Sequence, residues 1–352
     1  MISHPVTCLL VSQLNIDRDQ SLSMLNAERT STTTPLTSGF ASGYLRAMRQ
    51  NRIPDGTANN LLSDVIARRS SHSPIIPEPV KIGSGGQGDV YKEWRPELGR
   101  LMAVKHLRFL GDTLYGEDET IEREIRQVEK IRQLRHDNIV NIAAIERFVH
   151  RGGLHEVCIV MELCERSLED VVFKKSKPKY KPDLNTVLVY ARQIGSALAH
   201  LHQNGIVHRD VKPSNVLLGH NTINGVNRSE CTPRLKLCDF GIARTMSHTI
   251  SKATNRGTDL YKAPELIAQN SANHRLDVWA LGVLLWVLCT GRQPYEGRHT
   301  LNVMFNVASG LLRPDIAAVN DVRWSNVIDW CCQFDRMHRP SVQELLNCDF
   351  DP

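Results

Sequence analysis

The sequence predicts an α+β domain in which a small antiparallel sheet comes first and helices dominate afterwards. Short apolar segments rich in β-branched residues alternate with turns between residues 80 and 164. From residue 185 onward, apolar residues follow the helical period, as in the long amphipathic segment that stops at Gly205. The chain has 352 residues, of which 41% are hydrophobic and 23% charged. That is enough for a two-lobed domain of about 270 residues plus a tail.

Composition and charge limit the partners and the cellular location that the sequence predicts. The formal net charge of +5 is mild, and without a dense basic block it predicts no nucleic-acid partner. Nine scattered cysteines without zinc-type CxxC pairs favour a reduced, intracellular chain, cytoplasmic or alternatively nuclear. The N-terminus has the features of neither a signal peptide nor a myristoylation site. The longest apolar run, Val278 to Cys289, is shorter than the ~20 residues of a membrane span and predicts a buried helix.

Residues 1–75 form a polar segment rich in Ser, Thr, Asn and Arg, for which we predict disorder. A weak amphipathic pattern at Leu61, Leu62, Val65 and Ile66 interrupts it. This pattern fits either a docking or autoinhibitory segment or a transient helix in a tail. Both interpretations remain open at this stage.

The first conspicuous motif is a glycine-rich turn between two predicted strands. It runs through Ile82, Gly83, Ser84, Gly85, Gly86, Gln87 and Gly88 into a second strand that contains Val90. A dinucleotide fingerprint of the same spelling would open a helix instead. A glycine-rich hairpin lets backbone N–H groups approach phosphate oxygens without a Cβ in the way.

A lone lysine ends the next apolar strand, Leu101 to Lys105. A buried ammonium group is costly unless it is paired, so Lys105 needs an anionic partner. A helix follows, because Ile121, Ile125, Val128, Ile131 and Leu134 keep helical spacing.

The stretch from His208 to Gly241 organises the rest of the chain. Two apolar runs, 216–218 and 235–238, flank a polar loop that contains Asn224-Gly225, which predicts strand, turn and strand. This hairpin would bring Asp210, Asn215 and Asp239 together at its mouth. Two carboxylates and an amide are hard oxygen ligands that suit Mg²⁺.

In these motifs the sequence resembles the eukaryotic protein kinases. The catalytic-loop motif His208-Arg209-Asp210-Val211-Lys212-Pro213-Ser214-Asn215 and the metal-binding motif Asp239-Phe240-Gly241 match that family letter for letter. The resemblance implies a bilobal fold over residues 76–348. Its N-lobe would span 76–161, its hinge 162–166 and its mainly helical C-lobe 167–348, with one C-helix in the N-lobe.

The resemblance also implies roles for the site residues, with ATP and Mg²⁺ as cofactors. Asp210 would accept the proton of a substrate hydroxyl, and Lys212 would neutralise developing charge. Thr258 would bond Asp210 and Lys212, and Asn215 and Asp239 would hold the metal. Lys105 would bridge the phosphates and a C-helix acid. Counting back from His136 places that acid at Gln127, so we choose Glu124 one turn earlier and exclude Glu129, about 200° around the helix. The adenine would contact Val90, Ala103, Met161, Glu162, Cys164 and Leu217.

The polar segment after Gly241, closed by Ala263-Pro264-Glu265, is the activation segment that the resemblance implies. Thr254 has the family spacing for a regulatory phosphate, with Ser251 and Thr249 as alternatives, and Arg209 would pair with that phosphate. We also expect Asp277 to anchor the catalytic-loop backbone and Arg339 to pair with Glu265.

Lys212 and Thr258 together follow the serine/threonine pattern. Segments 134–140, 293–298 and 312–315 resemble the Mos family, which acts at the MAP kinase kinase kinase level in oocyte meiotic maturation. Residues 165–170 also resemble T-LAK cell-originated kinase. The expected partner is a protein substrate, such as a MAP kinase kinase, and the expected state is a monomer. Two alternatives are a pseudokinase that serves as a scaffold and a kinase gated by its N-terminal tail.

Overall fold

The computed structural model describes residues 77–85, 88–110, 117–149, 154–173, 182–219, 222–223, 226–227, 233–239, 258–268 and 273–351. The tail predicted to be disordered, residues 1–75, lies outside these ranges. So do the phosphorylation candidates Thr249, Ser251 and Thr254, and Gly86, Gln87, Phe240 and Gly241 in the motifs. The α+β class that the sequence predicts is confirmed.

A five-stranded antiparallel sheet forms the first lobe, as the sequence predicts. Its strands lie in the order β1-β2-β3-β5-β4. Their bounds are β1 Val80–Gly85, β2 Gly88–Arg95, β3 Arg100–Leu110, β4 Ile142–Val149 and β5 Leu154–Glu162. Helix α1, Glu117–Gln133, is inserted between β3 and β4. Ile125, Val128 and Ile131 on α1 are buried, which confirms the helical face that their spacing predicts.

Helices dominate the second lobe. Their bounds are α2 Leu168–Phe173, α3 Leu184–Gln203, α4 Pro264–Ile267, α5 Arg275–Thr290, α6 Thr300–Ala308, α7 Val322–Cys331 and α8 Val342–Asn347. Asp183 caps α3 by accepting a hydrogen bond from the backbone N–H of Thr186 at 2.9 Å. Gly205 follows the helix with φ of 70°, a conformation that glycine adopts at little cost.

The centre of this lobe is α5. Every residue from Leu276 to Cys289 is buried, so the helix has no solvent-facing side. Gly282 lets the C-terminal end of α7 pack closely against α5, because a Cβ at residue 282 would lie 2.7 Å from Cys331 Cβ and from Cys332 Sγ. Among the described residues, no helix is both long and apolar enough to cross a membrane.

Short strands connect the lobes and carry the catalytic loop. β6 Arg166–Ser167, β7 Val216–Leu218 and β10 Leu235–Leu237 form a three-stranded sheet in the order β10-β7-β6. β7 and β10 pair antiparallel, as expected, but a separate hairpin of β8 Thr222–Ile223 and β9 Val226–Asn227 is inserted between them. The Asn224-Gly225 pair therefore lies between β8 and β9, not in a single turn from β7 to β10. The segment between β7 and β10 is too long for one two-residue turn.

Candidate active site

The catalytic loop is held by one buried carboxylate, Asp277. Its Oδ2 accepts the backbone N–H of His208 at 2.8 Å, and its Oδ1 accepts that of Arg209 at 2.7 Å. The ring Nε2 of His202 lies 2.8 Å from the same carboxylate. Asp277 is fully buried at the start of α5, so the core helix sets the position of the loop. The predicted anchoring role of Asp277 is confirmed.

The buried ring of His208 makes two hydrogen bonds that hold the catalytic loop, and it does so as a single tautomer. Its Nε2 donates to the carbonyl of Cys238 at 2.9 Å, and its Nδ1 accepts from the backbone N–H of Asp210 at 3.2 Å. Only the neutral ring makes both bonds. Complete burial lowers the pKa of His208 below its ordinary value, which keeps the ring neutral.

Asp210, Lys212 and Asn215 converge at the end of this loop. Asn215 donates its amide hydrogens to the carbonyl of Asp210 at 2.8 Å and to Asp210 Oδ2 at 2.9 Å. The ammonium group of Lys212 lies 3.0 Å from the same Oδ2. The short 3₁₀ turn Pro213–Asn215 returns the chain so that Asn215 faces Asp210. These contacts fix the carboxylate of Asp210 at the end of the catalytic loop.

Lys105 and Asp239 meet across the cleft between the lobes. Lys105 Nζ lies 2.6 Å from Asp239 Oδ1, and the lysine is 2% exposed. The anionic partner that the sequence requires for Lys105 therefore includes Asp239. Asp239 has a φ of 60°, a conformation that non-glycine residues seldom adopt and that often marks functional positions.

The C-helix acid stays a prediction. Both Glu124 and Gln127 lie on α1, but the side chain of Glu124 is outside the described part of the structure. Glu129 pairs with Arg132 through a 2.7 Å contact on the exposed side of the helix. Glu129 is thus engaged within its own helix, and its exclusion as the partner of Lys105 stays a prediction. Thr258 begins a 3₁₀ turn, and its side chain also lies outside the described residues.

The glycine-rich hairpin pairs with the strand that carries Lys105. β1 and β2 pair with Gly83 opposite Val90 and Gly85 opposite Gly88. Gly88 has a φ of 116°, and a Cβ there would lie 2.2 Å from the carbonyl oxygen of His106. Only glycine fits this position. The hairpin therefore stays close to β3, in which Lys105 lies directly opposite Val90.

The predicted adenine contacts lie on β2, β3, β5 and β7 and in the hinge. Ala103 pairs with Met161 across β3 and β5, and Leu217 lies partly buried on β7. The backbone N–H of Glu162 already donates to the carbonyl of Asn141 at 3.0 Å, so its carbonyl is the group available to a base. Burial raises the pKa of Cys164 to about 12, which keeps that thiol protonated.

The sequence interpretation missed one part of the hinge. Lys236 on β10 lies 2.7 Å from Glu162 Oε1, and the same oxygen accepts the backbone N–H of Asn141. Glu162 is thus fixed from both lobes. The signal was a single lysine inside the apolar run Leu235 to Cys238, which resembles the pattern that singled out Lys105.

The ion pair that closes the activation segment is confirmed. Arg339 donates to both carboxylate oxygens of Glu265, at 2.7 and 2.9 Å. The arginine is 1% exposed and also donates to the carbonyls of Gln333 and Phe334. Because the pair is bidentate and the other guanidinium donors of Arg339 also have acceptors, it fixes α4 against the segment that contains Arg339.

Comparison with known proteins agrees with this geometry. The family model described as the protein kinase domain matches residues 78–350. The chain belongs to the protein kinase family. The match begins at residue 78, close to the start of β1 at Val80.

Three relatives illustrate the similarity. The chain is 34% identical to the serine/threonine-protein kinase TIO of Arabidopsis thaliana, over 61% of this chain and 14% of that protein. It is 30% identical to the serine/threonine-protein kinase mos of Patiria pectinifera, over 75% and 72%. It is 33% identical to the MAP kinase kinase mkk-4 of Caenorhabditis elegans, over 76% and 71%. Several relatives are much longer, and the chain spans only 14 to 42% of their length.

Proposed function

We propose that the chain is an active serine/threonine protein kinase that transfers the γ-phosphoryl group of ATP to hydroxyl groups of proteins. The observation that carries this proposal is the convergence of Lys212 and Asn215 on one oxygen of Asp210. A carboxylate that neighbouring side chains hold in position to accept a hydroxyl proton is what such a transfer requires. Relatives named as serine/threonine-protein kinases support the choice of hydroxyl acceptor.

The donor set fits Mg²⁺. Asp239 offers a carboxylate, and Asn215 has its amide nitrogen committed to Asp210, which leaves its carbonyl oxygen as the atom to bind a metal. Hard oxygen donors of this kind suit Mg²⁺, which would neutralise charge on the phosphates when bound. We assign Asn215 and Asp239 to this role.

Each remaining residue has a defined part in the proposed mechanism. Asp210 orients the attacking hydroxyl and accepts its proton, while Lys212 stabilises the charge that develops beside it. Lys105 binds the phosphates, and the backbone of the glycine-rich hairpin covers them. Most of the catalytic effect then comes from positioning and fixed charges rather than from covalent chemistry.

Replacing Asp210 with Asn tests this proposal. The change keeps the shape of the side chain but removes the proton acceptor, so we expect phosphorylation of serine and threonine peptides to fall by about 10²–10⁴-fold. Radiolabelled ATP and purified full-length chain provide the measurement. Asp137→Asn is the matched control, since Asp137 is 77% exposed on the surface.

Two outcomes would contradict the proposal. If Asp210→Asn keeps the rate of the unchanged chain, the measured activity does not come from this site. If the unchanged chain transfers no phosphate while binding partners normally, the scaffold alternative is correct.

We further propose that the kinase acts in a MAP kinase cascade at the Mos level, on a MAP kinase kinase, with oocyte meiosis as the process. The resemblance of segments 134–140, 293–298 and 312–315 supports this, as does the similarity to mos of Patiria pectinifera over most of that protein. A cytoplasmic location and a monomeric state belong to the same proposal.

A choice of two substrates tests the cascade level. Purified chain is incubated with catalytically inactive MAP kinase kinase or with inactive MAP kinase, and phosphorylated residues are identified by mass spectrometry. We expect phosphate on the MAP kinase kinase. Phosphate on the MAP kinase alone would place the chain one level lower, as the name of the relative mkk-4 describes for that protein.

A further inference from the structure

A cluster of metal-ligand side chains lies on the face of the five-stranded sheet opposite the cleft. It consists of His106 on β3 and of Glu156 and Cys158 on β5. One ligand atom from each residue lies within 4.8 Å of the other two. His106 and Cys158 are direct partners across the two strands, and Glu156 is two residues from Cys158. Side chains two residues apart share a face of a strand, so the sheet itself brings the three together.

The two distances from His106 Nδ1 are close to those of a tetrahedral site. His106 Nδ1 lies 3.1 Å from Glu156 Oε1 and 3.4 Å from Cys158 Sγ. Zinc bonds of ordinary length at a tetrahedral angle would separate nitrogen from oxygen by about 3.4 Å and nitrogen from sulfur by about 3.6 Å. The Glu156 carboxylate and Cys158 Sγ lie within 4.8 Å of each other, so side-chain rotations would complete three corners around a metal.

The second nitrogen of His106 is already oriented as in metal sites. Its Nε2 lies 2.9 Å from Glu93 Oε1 on β2. When Nε2–H donates to this carboxylate, Nδ1 can offer its lone pair to a metal that Glu156 and Cys158 also bind. Glu93 is in turn 3.4 Å from Arg95. A carboxylate at one nitrogen of a histidine whose other nitrogen faces ligand atoms is an arrangement typical of zinc-binding histidines.

Buried ligand side chains and nearby carboxylates also characterise this cluster. Cys158 is 2% exposed and Glu156 7% exposed, and neither takes part in the mechanism proposed above. The carboxylates of Glu156, Glu146 and Glu93 act on Cys158, and Arg95 pairs with the latter two. Three carboxylates against one guanidinium favour a divalent cation beside the thiol.

We propose that His106, Glu156 and Cys158 form a Zn²⁺ site that joins β3 to β5. Nitrogen, oxygen and sulfur donors together suit a borderline cation such as Zn²⁺ and disfavour Mg²⁺ or Ca²⁺. Three protein ligands leave the fourth position to water or to an incoming group. The site lies on the opposite face of β3 from Lys105, so it is separate from the nucleotide cleft.

Cobalt spectroscopy on the full-length chain tests this site. The chain is treated with a chelator, desalted and titrated with Co²⁺ and then Zn²⁺. We expect a thiolate-to-cobalt charge-transfer band with tetrahedral d–d bands, and their loss when Zn²⁺ displaces the cobalt. Zinc at a hundredfold excess over its Kd should also raise the Tm of the chain.

Three variants and one control make the result specific. Cys158→Ala should abolish the charge-transfer band, and Glu156→Gln should weaken Zn²⁺ binding at least tenfold. Glu93→Gln keeps all three ligands and should still weaken binding by about 10–100-fold. Cys348→Ala is the control, because that thiol bonds the carbonyl of Leu345 far from the cluster in sequence and should leave the band unchanged.

The proposal fails if the unchanged chain shows no cobalt–thiolate band. It also fails if the band persists in Cys158→Ala, because the cysteine that binds cobalt would then be a different one. In either case the three side chains form only a hydrogen-bonded network. If Cys158→Ala does not fold, as judged by circular dichroism, the isosteric Glu156→Gln and Glu93→Gln variants decide: undiminished zinc affinity in both overturns the site. None of these readouts depends on kinase activity, so failure here leaves the proposed function unaffected.

Discussion

Replacing Asp277 with Asn tests how far the core helix controls the catalytic loop. The aspartate accepts two backbone N–H groups, from His208 and Arg209, with one oxygen each. An asparagine keeps one acceptor oxygen and turns an NH₂ group toward the other donor. One buried N–H is then left unsatisfied, which costs about 1–3 kcal/mol.

A second contribution comes from the charge. Hydrogen bonds to an ionised acceptor are worth about 1.5–3 kcal/mol, against about 0.5–1.5 kcal/mol for neutral pairs, so the remaining bond weakens by about 1 kcal/mol. The sum is about 2–4 kcal/mol, a large part of the 5–15 kcal/mol that stabilises typical domains. Arg209 has a φ of 66°, so its backbone is strained and depends on these bonds to stay in place.

Urea unfolding and steady-state kinetics measure the two consequences. We expect a lower midpoint of unfolding that corresponds to about 2–4 kcal/mol. We also expect a kcat about 10²-fold lower at temperatures where the variant is folded, because a shift of about 1 Å in Asp210 misplaces the reacting groups. Asp321→Asn is the matched control: Asp321 caps α7 through Trp324 N, and asparagine caps equally well. If both variants unfold at the same urea concentration, the anchoring argument is wrong.

Three further changes probe the scaffold around the site. Gly282→Ala should lose about 1–2 kcal/mol in urea unfolding, because overpacking against Cys331 exceeds the gain in helix propensity. Glu265→Ala should lose about 3–5 kcal/mol by the same measurement, since it leaves the guanidinium of Arg339 buried without its anion. Burial lowers the pKa of His208 below 6.5 in the folded state only. Below pH 6.5 the unfolded chain therefore binds the extra proton, so stability should fall from there toward the lower folded-state pKa, and a variant without His208 should lose this slope.

Controls separate these effects from general damage. Asp329→Ala removes an ion pair with Arg313 in which both side chains are more than a third exposed, and it should cost no more than about 1 kcal/mol. Equal losses for Asp329→Ala and Glu265→Ala would argue against the buried-pair reasoning. An unchanged unfolding midpoint for Gly282→Ala would show that α5 and α7 separate more easily than their packing indicates.

Local patterns predicted much of the fold. The helical face of α1, the stop of α3 at Gly205 and the buried α5 each depend on residues close in sequence, so their spacing was sufficient. The pairing of Arg339 with Glu265 joins residues 74 positions apart, and only the family resemblance supplied it. The inserted hairpin of β8 and β9 was missed, because turn residues indicate that a turn exists but not which strands it joins.

The side-chain networks behind the active site were the part that the sequence could not supply. Lys105 and Lys236 look alike in sequence, each a single lysine in an apolar strand. In the structure Lys105 meets Asp239 in the cleft, whereas Lys236 meets Glu162 at the hinge. The two lysines differ only in which face of which strand they occupy and in what lies opposite. Strand register settles that difference, and it also brought His106 opposite Cys158, a pairing that no local motif signals.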